Sequence, residues 1–405
     1  MGPLIRIGLI GKTNTGKTTF FNAATLKYGE ISTYPFTTKE PQFGVGYVRA
    51  LCPCRELNVK DDPQNSFCVD GWRFIPIELI DLPGLIKGSW SGKGLGTQFL
   101  SVAAQADALL HIVDASGSVD AEGRLTKPGM GNPVLDVYDI EVELLLWFSK
   151  LVKKAVERAS KRAGEAPSDE VLHKALGGMK VRREHIARAL EASGLREKPF
   201  DKWSDADVRE FSGRLRDFSK PTIIIANKMD LAKAEENYER LKEEFRDRMV
   251  IPCCSEAELA LRRAEQKGYI KYIPGEETFK VLADEKLTKE QRWALNYFQE
   301  RVFSKIIRTG VQFALNACVF KLLGMNVVYP VEDASRFSNG MGRVLPDAFL
   351  MPPGSTAKDL AERIHSDLAK GMIFAIDARS GLRLPSDYIL RDGDVINIVA
   401  ATKRG

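Results

Sequence analysis

The sequence has no apolar run long enough to cross a bilayer, few cysteines and little net charge. Because no apolar run is long enough, we expect no membrane anchor. Because the first predicted strand lies at the start of the sequence, we expect neither a signal peptide nor a transit peptide. Six cysteines without regular spacing indicate a reducing compartment rather than a disulfide framework. A net charge of +5, from 59 basic and 54 acidic residues, is too small to indicate a nucleic-acid partner by itself. We therefore expect a cytoplasmic protein without a membrane partner.

The 405 residues predict two or three domains, and the composition, 44% hydrophobic and 28% charged, is typical of globular proteins. Residues 1–138 alternate between strand and helix patterns, which predicts an α/β fold with a parallel sheet covered on both faces. Further apolar runs that predict strands lie at 73–84, 106–116, 221–230 and 248–255.

The first motif is GKTNTGKT, residues 11–18, which follows an apolar strand and precedes a helical pattern. It fits the phosphate-binding pattern G-x-x-x-x-G-K-[ST], in which backbone N–H groups surround an anion and the lysine reaches the outer phosphates. The partial positive charge of the following helix N-terminus favours the same anion. The nucleotide-binding residues predicted in this segment are Asn14, Thr15, Gly16, Lys17, Thr18 and Thr19.

Two further segments complete a Mg²⁺ and phosphate site in this prediction. Asp81 ends a predicted strand and begins D-x-x-G, so its carboxylate is placed to hold Mg²⁺ while the N–H of Gly84 meets the γ-phosphate. The hydroxyl of Thr18 is a second Mg²⁺ ligand. A threonine of YPFTT, residues 34–38, is the third; we favour Thr38 over Thr37.

The phosphates are those of a nucleotide in this prediction, and its base is predicted to bind at NKMD. There Asn227, Lys228 and Asp230 follow an apolar strand. An aspartate carboxylate accepts hydrogen bonds from the ring N–H and the exocyclic amine of guanine. Adenine has an acceptor at the ring position, and losing a charged hydrogen bond in a pocket costs roughly 1.5–3 kcal/mol. Ser255 and Glu256, after the next strand, fit the loop behind the base. The motif therefore favours GTP.

Residues 139–218 carry helical patterns and no strand pattern, which predicts a helical insertion with Ser204 and Asp207 as a capping box. Between Lys150 and Arg188, eleven basic residues face five acidic ones. This surplus has two interpretations: a solvated helix face, or a surface that contacts RNA or another polyanion.

The rest of the chain predicts two more parts. Residues 281–317 predict a helical linker, in which Thr288 and Gln291 form a cap. Residues 318–405 predict a β-grasp domain, with four short strands and one helix over TAKDLAERIHSDLAKG. The nucleotide-binding domain is then discontinuous, with residues 1–138 and 219–280 on either side of the insertion.

Three cysteines, Cys52, Cys54 and Cys68, form C-x-C-x13-C. A structural zinc site usually has four protein ligands, and no histidine lies near these cysteines. We therefore expect them to be buried or exposed thiols, with zinc as the alternative. Cys253 and Cys254 end a strand, where a core position is expected.

Taken together, the motifs resemble the Obg branch of the translation-factor-class GTPases, nearest to the YchF-like subfamily with a C-terminal TGS domain. The likeness rests on GKTNTGKTTFFNAATL, YPFTT, DLPGLIKG, DALLHIVDAS, NKMD and FLMPPGSTAKDLAERIH. It implies a GTP-binding switch linked to ribosomes or RNA, with Mg²⁺ as cofactor. Some YchF relatives lose the base-reading lysine and aspartate and prefer ATP, whereas this chain keeps both. It departs from relatives at Trp90, where histidine is common, and at Glu256, where alanine is usual.

The resemblance also raises the question of how GTP is cleaved. Leu85 follows D-x-x-G where many GTPases carry a glutamine that orients water, so we expect slow intrinsic hydrolysis. Asn14 stands where potassium-stimulated relatives carry an asparagine, and its carbonyl is a candidate K⁺ ligand; the alternative is that it only supports the turn. The predicted catalytic residues are Asn14, Lys17 and Thr38. Rival functions are a nucleotide-loaded scaffold and a metabolic kinase, for which the sequence offers no acceptor-substrate site. We expect a monomer.

Overall fold

The structure is a computed structural model that describes residues 4–26, 41–84, 96–160 and 169–401. Within these ranges the strands are β1 Arg6–Ile10, β2 Gln42–Leu51, β3 Phe67–Val69, β4 Trp72–Asp81, β5 Ala108–Asp114, β6 Thr222–Asn227, β7 Val250–Pro252, β8 Ile270–Lys271, β9 Lys280–Val281, β10 Asn326–Val331, β11 Phe349–Met351, β12 Met372–Asp377, β13 Arg383–Leu384 and β14 Val395–Ala400. The α-helices are α1 Lys17–Thr25, α2 Pro53–Glu56, α3 Gly96–Ala103, α4 Pro133–Ala159, α5 Asp169–Ala175, α6 Arg183–Ala192, α7 Asp205–Ser219, α8 Ala234–Glu244, α9 Ser255–Gln266, α10 Lys289–Phe298, α11 Ser304–Ile306, α12 Val311–Asn316, α13 Ala357–Ile364 and α14 Ser366–Gly371.

The chain forms two compact units, and the larger comprises the described residues of 6–44 and 78–314. Its central strands follow the order β4-β1-β5-β6-β7, and each neighbouring pair is parallel. Every residue of β5 is buried, as expected for a central strand with both faces covered. The predicted α/β fold class is therefore confirmed. Parallel pairing places the carboxyl ends of the strands at one edge, where ligands bind in such sheets.

The predicted helical insertion consists of α4 to α7. Helix α4 begins at Pro133, earlier than the predicted start at 139, because Asn132 accepts hydrogen bonds from the Val134 and Leu135 N–H groups. Such a cap contributes about 1 kcal/mol to helix stability. The capping box of Ser204 and Asp207 at the start of α7 is confirmed. The apolar faces of α4, α6 and α7 share one buried core that includes Phe148, Leu190 and Phe211.

The smaller unit comprises the described residues of 1–5, 45–77 and 315–405. Its C-terminal sheet has the order β11-β10-β14-β12-β13. The single helix predicted over TAKDLAERIHSDLAKG is wrong: it is split into α13 and α14 at His365, which has extended dihedral angles and caps α14. The cap predicted at Thr288, which begins α10 in the larger unit, is confirmed.

Residues 45–77 group with the C-terminal part of the chain in this smaller unit. The N–H of Asp62 donates to the Val344 carbonyl at 2.8 Å, and the N–H of Gln64 donates to the Pro346 carbonyl at 2.7 Å. The sequence-based domain boundaries, which stay predictions, did not anticipate this grouping. The reason is that these hydrogen bonds join segments about 280 residues apart.

Candidate functional site

The loop between β1 and α1 can be built only with glycine at two positions. Gly11 has φ of 142°, and a Cβ there would lie 2.3 Å from the Ile112 carbonyl oxygen. Gly16 has φ of 96°, and a Cβ there would lie 2.2 Å from Nδ2 of Asn227. Helix α1 begins directly after Gly16, so the loop leads into the positive end of a helix. This arrangement is that of an anion-binding loop.

Lys17 and Thr18 begin α1 with their polar atoms held by neighbouring groups. The Lys17 ammonium is buried and donates to the Lys12 carbonyl at 2.5 Å. Burial lowers the pKa of Lys17 to about 8, against the opposing effect of the Asp81 carboxylate. The negative charge of a bound phosphate would favour the charged form of Lys17 and so raise its pKa again. Thr19, also in the first turn, is half-buried.

Thr18 and Asp81 are the two predicted Mg²⁺ ligands that the structure describes. The Thr18 hydroxyl donates to Oδ2 of Asp81 at 2.7 Å, and Asp81 is completely buried. An oxygen-only donor pair at a strand end fits Mg²⁺, which prefers carboxylate and hydroxyl oxygens and keeps several waters. The third predicted ligand, Thr38, and its alternative Thr37 lie outside the described residues.

Gly84 lies close to Thr13 of the loop, the residue that directly precedes Asn14. A Cβ on Gly84 would lie 2.7 Å from the Thr13 backbone nitrogen, so the D-x-x-G segment approaches the loop backbone closely. Asn14 has φ of 61°, which asparagine tolerates better than most residues. Its Nδ2 donates to the Gly123 carbonyl at 2.9 Å, which leaves the amide oxygen as the candidate cation ligand. The Thr13 hydroxyl donates to the same carbonyl at 3.1 Å.

Asn227 ties three predicted segments together. Its Nδ2 donates to the Thr15 carbonyl of the phosphate loop at 2.9 Å. Its Oδ1 accepts from the N–H of Ser255 at 3.1 Å and from the Ser255 hydroxyl at 2.9 Å. The base-reading segment, the phosphate loop and the start of α9 are therefore joined by one buried carboxamide.

Sequence reasoning assigned no role to Asp114, although it ends the buried strand β5. Its carboxylate accepts from the Lys228 ammonium at 2.8 Å and from the hydroxyls of Ser116 and Ser118 at 2.6 Å each. Lys228, which has φ of 64° directly after β6, is held by this ion pair to the end of β5. The available signal was an aspartate at the end of an apolar strand, the same signal that identified Asp81.

Lys12 is a second residue to which sequence reasoning gave no role. Its ammonium donates to Asp136 at 2.7 Å and to Asp139 at 2.8 Å, both on α4. Burial works against the charge of Lys12, but the hydrogen bonds to these carboxylates raise its pKa above the ordinary value. The phosphate loop is therefore anchored to the helical insertion by a largely buried ion pair.

Asp230 lies at the edge of a surface cavity of about 400 Å³. The Cys254 thiol donates to its Oδ1 at 3.2 Å, and the Tyr297 hydroxyl donates to its backbone carbonyl at 3.1 Å. Ser255 is buried at the start of α9, whereas Glu256 is exposed in the first turn. The cavity is lined by Asp230, Leu231, Ala232, Lys233, Glu235, Glu236, Tyr297, Arg301 and Lys305.

The structure therefore brings together the described members of the predicted site, although their roles toward a nucleotide stay predictions. Leu85 and Trp90 lie outside the described residues, as do Lys161 and Arg162 of the basic run. Among the helices that the structure does describe, none has the length and apolarity needed to span a membrane.

Three family profiles match the chain. Residues 6–137 match a 50S ribosome-binding GTPase family. Residues 225–333 match the family described as Obg-like GTPase YGR210-like, G4 motif-containing domain. Residues 341–400 match the TGS domain, in agreement with the predicted C-terminal domain.

Full-length similarity extends to proteins from several organisms. An uncharacterized GTP-binding protein of Methanocaldococcus jannaschii is 44% identical over 398 residues, which cover 98% of this chain and 99% of the relative. The ribosome-binding ATPase YchF of Escherichia coli O157:H7 is 26% identical and covers 97% of this chain and 98% of the relative. The crystal structure of a GTP-binding protein from Pyrococcus horikoshii OT3 has a TM-score of 0.78 at 35% identity and covers 98% of this chain and 100% of that one.

Proposed function

Because this chain belongs to the Obg-like, YchF-related family of GTPases, we propose that it is a GTP-hydrolysing regulatory switch that associates with ribosomes or RNA. The observation that carries the proposal is the set of hydrogen bonds made by Asn227, which links the phosphate loop, the base-reading segment and α9. It supports the assignment of Asp230 to the same nucleotide site as Lys17 and Thr18. One nucleotide contacting all three would couple the base site to the phosphate site.

GTP is the proposed nucleotide, and ATP is the alternative because YchF relatives are named ATPases. The preference for guanine rests on the intact pair of Lys228 and Asp230, with Lys228 held by the buried Asp114 carboxylate. The deciding experiment is competition of GTP and ATP for the full chain with Mg²⁺. Tighter binding of GTP supports the proposal, and equal affinities for both nucleotides would overturn the guanine assignment.

In the proposed mechanism of hydrolysis, the residues of the motifs have separate roles. Lys17 binds the outer phosphates, and Thr18, Asp81 and Thr38 would hold Mg²⁺, which supplies charge neutralisation when bound. Gly84 brings its N–H to the γ-phosphate. The rival, a nucleotide-loaded scaffold, is separated from a switch by measuring multiple-turnover phosphate release with and without ribosomes. Turnover supports the switch, and its absence in both conditions supports the scaffold.

Thr18→Ala is expected to weaken nucleotide binding about tenfold in Mg²⁺, because the variant loses a metal ligand worth roughly 1.5 kcal/mol. In EDTA, where no Mg²⁺ is available to ligate, the difference from the natural protein should nearly vanish. The measurement is a GDP titration in both buffers. Thr25→Ala, near the end of the same helix, is the control, because the Thr25 hydroxyl donates to the Phe21 carbonyl rather than toward the phosphates. An equal loss in EDTA would place Thr18 outside the metal site.

The ribosome- or RNA-binding part of the proposal rests on the name of the YchF relatives and on the basic run of the helical insertion. Lys153 and Lys154 are exposed near the C-terminal end of α4. Lys153 also pairs with Asp205 at 2.7 Å, a surface ion pair worth little in water. A polyanion can therefore compete for this lysine. The TGS domain is the second proposed contact region, and we propose a cytoplasmic monomer.

Charge reversal at Lys153, Lys154, Lys161 and Arg162 is expected to lower ribosome or RNA binding and to reduce its salt dependence, because fewer counterions are released. GTP affinity should stay unchanged. Co-sedimentation with ribosomes across a salt series measures the effect. The control for Lys153 and Lys154, tested as a double reversal beside the fourfold one, reverses Lys242 and Arg246, which are exposed at the end of α8 and just beyond it and also pair with nearby glutamates. If the test and control variants sediment equally with ribosomes, the basic run is a solvated helix face and does not bind RNA.

A further inference from the structure

Three thiols and one carboxylate converge in the smaller unit, between residues 52 and 68. One ligand atom from each of Cys52, Cys54, Cys68 and Asp61 lies within 4.8 Å of all the others. We propose that these four side chains bind one Zn²⁺ ion in a closed, structural site. The fourth ligand is Asp61, a carboxylate at one of the unspecified positions of the C-x-C-x13-C pattern.

The distances within the cluster fit a tetrahedral ion. Tetrahedral Zn²⁺ with Zn–S bonds of about 2.3 Å separates two thiolate sulfurs by about 3.8 Å. The sulfurs of Cys54 and Cys68 are 3.9 Å apart. The sulfur of Cys52 lies 3.1 Å from Oδ2 of Asp61, a contact that a small adjustment converts to an edge of the same tetrahedron. Three sulfur ligands select Zn²⁺ over Mg²⁺ or Ca²⁺, which prefer oxygen.

Local backbone structure holds the donors in place. Cys52 follows β2 and its N–H donates to the Gly71 carbonyl at 3.0 Å. Cys54 lies in the short helix α2, and Cys68 lies on β3, which pairs with β4 through a turn at Asp70 and Gly71. Both turn residues have positive φ, 48° and 77°. Backbone hydrogen bonds therefore hold the two cysteine segments beside each other.

A buried cation balances the charge that the ligands would carry. Arg73 is completely buried, and its guanidinium lies 3.0 Å from Asp61 and 3.6 Å from the Cys52 sulfur. It also donates to the Ser66 hydroxyl and to the Leu345 carbonyl. Three thiolates and a carboxylate exceed the charge of Zn²⁺ by two, and Arg73 offsets one of these charges. This residue also links the ligand cluster to the C-terminal part of the unit.

All four positions around the ion would be filled by protein, which is typical of structural rather than catalytic zinc. The ligands enclose residues 52–68, and this segment carries the hydrogen bonds of Asp62 and Gln64 to the C-terminal part of the chain. The ion would therefore stabilise the packing of residues 45–77 within the smaller unit, since metal binding and folding are coupled in such sites.

The first test uses the full chain incubated with excess ZnCl₂ under reducing conditions and then desalted. Elemental analysis should find one zinc per chain, and cobalt substituted for zinc should give the visible absorption of tetrahedral Co²⁺ with thiolate charge-transfer bands. A natural protein that retains no zinc, or a cobalt spectrum without thiolate charge transfer, would overturn the proposal. Neither result depends on any variant being able to fold.

The second test assigns the ligands. Cys68→Ser and Asp61→Ala should lose the stoichiometric zinc, whereas Asp61→Cys should keep it and strengthen the thiolate charge-transfer bands of the cobalt form. The control is Cys318→Ser, a buried cysteine of the same unit that lies outside the cluster, and it should retain one zinc. Zinc retained by every variant would show that the metal binds elsewhere, for example at Cys253 and Cys254, and the assignment would fail.

Discussion

Asp230→Asn is expected to weaken GTP binding on the order of 10²-fold and to shift preference toward xanthosine nucleotides. The carboxylate accepts from two N–H groups of guanine, and replacing it removes roughly 3 kcal/mol of charge-assisted hydrogen bonding. Xanthine carries a carbonyl in place of the amine, so the asparagine amide can donate where the aspartate could only accept. Competitive titration with GTP and xanthosine triphosphate measures both effects.

The asparagine keeps the acceptor for the Cys254 thiol, so we expect the fold around Asp230 to survive the substitution. Asp247→Asn, an exposed residue before β7, is the matched control and should leave both affinities unchanged. If GTP affinity is the same in Asp230→Asn and in the natural protein, the guanine is not read by this carboxylate.

Potassium is expected to speed GTP turnover relative to sodium at equal ionic strength, with an effect on the order of 10²-fold when one preorganised charge contact is gained. The amide oxygen of Asn14 is the proposed ligand from the phosphate loop, while its Nδ2 is held by the Gly123 carbonyl. A monovalent cation there would stabilise charge that develops on the phosphates. It would compensate for Leu85, which cannot orient water.

Two substitutions separate this role from simple support of the turn. Asn14→Ala removes the amide and strains a position with φ of 61°, whereas Asn14→Gly removes the amide without strain. If Asn14 ligates potassium, both variants should lose the stimulation and largely keep GTP binding. Stimulation that survives in Asn14→Gly would show that asparagine serves only the backbone, and equal turnover of the natural protein in both salts would remove potassium from the mechanism.

Much of the nucleotide site could be predicted from the sequence because its parts are local. The loop of Gly11, Gly16, Lys17 and Thr18 is a continuous segment between a strand and a helix, and Asp81 is found by its place at a strand end. In each case the backbone conformation that positions the side chain is set by residues within a few positions. Helix caps such as Ser204 were predictable for the same reason.

Contacts between distant segments were decided only by the tertiary structure. Asp114 supports Lys228, and Lys12 is held by Asp136 and Asp139, through ion pairs between residues more than 100 positions apart. The break between α13 and α14 at His365 could not be predicted either, because the spacing of apolar residues does not reveal one residue with extended dihedral angles.

The cluster of Cys52, Cys54, Cys68 and Asp61 shows what the sequence determines and what only the tertiary structure decides. The sequence by itself determined three candidate sulfur ligands by their spacing. Only the fold placed Asp61 beside them and the buried Arg73 behind them. The physical reason is that a carboxylate occurs at many positions along a chain, and only the fold decides which of them lies within a few ångströms of other donors.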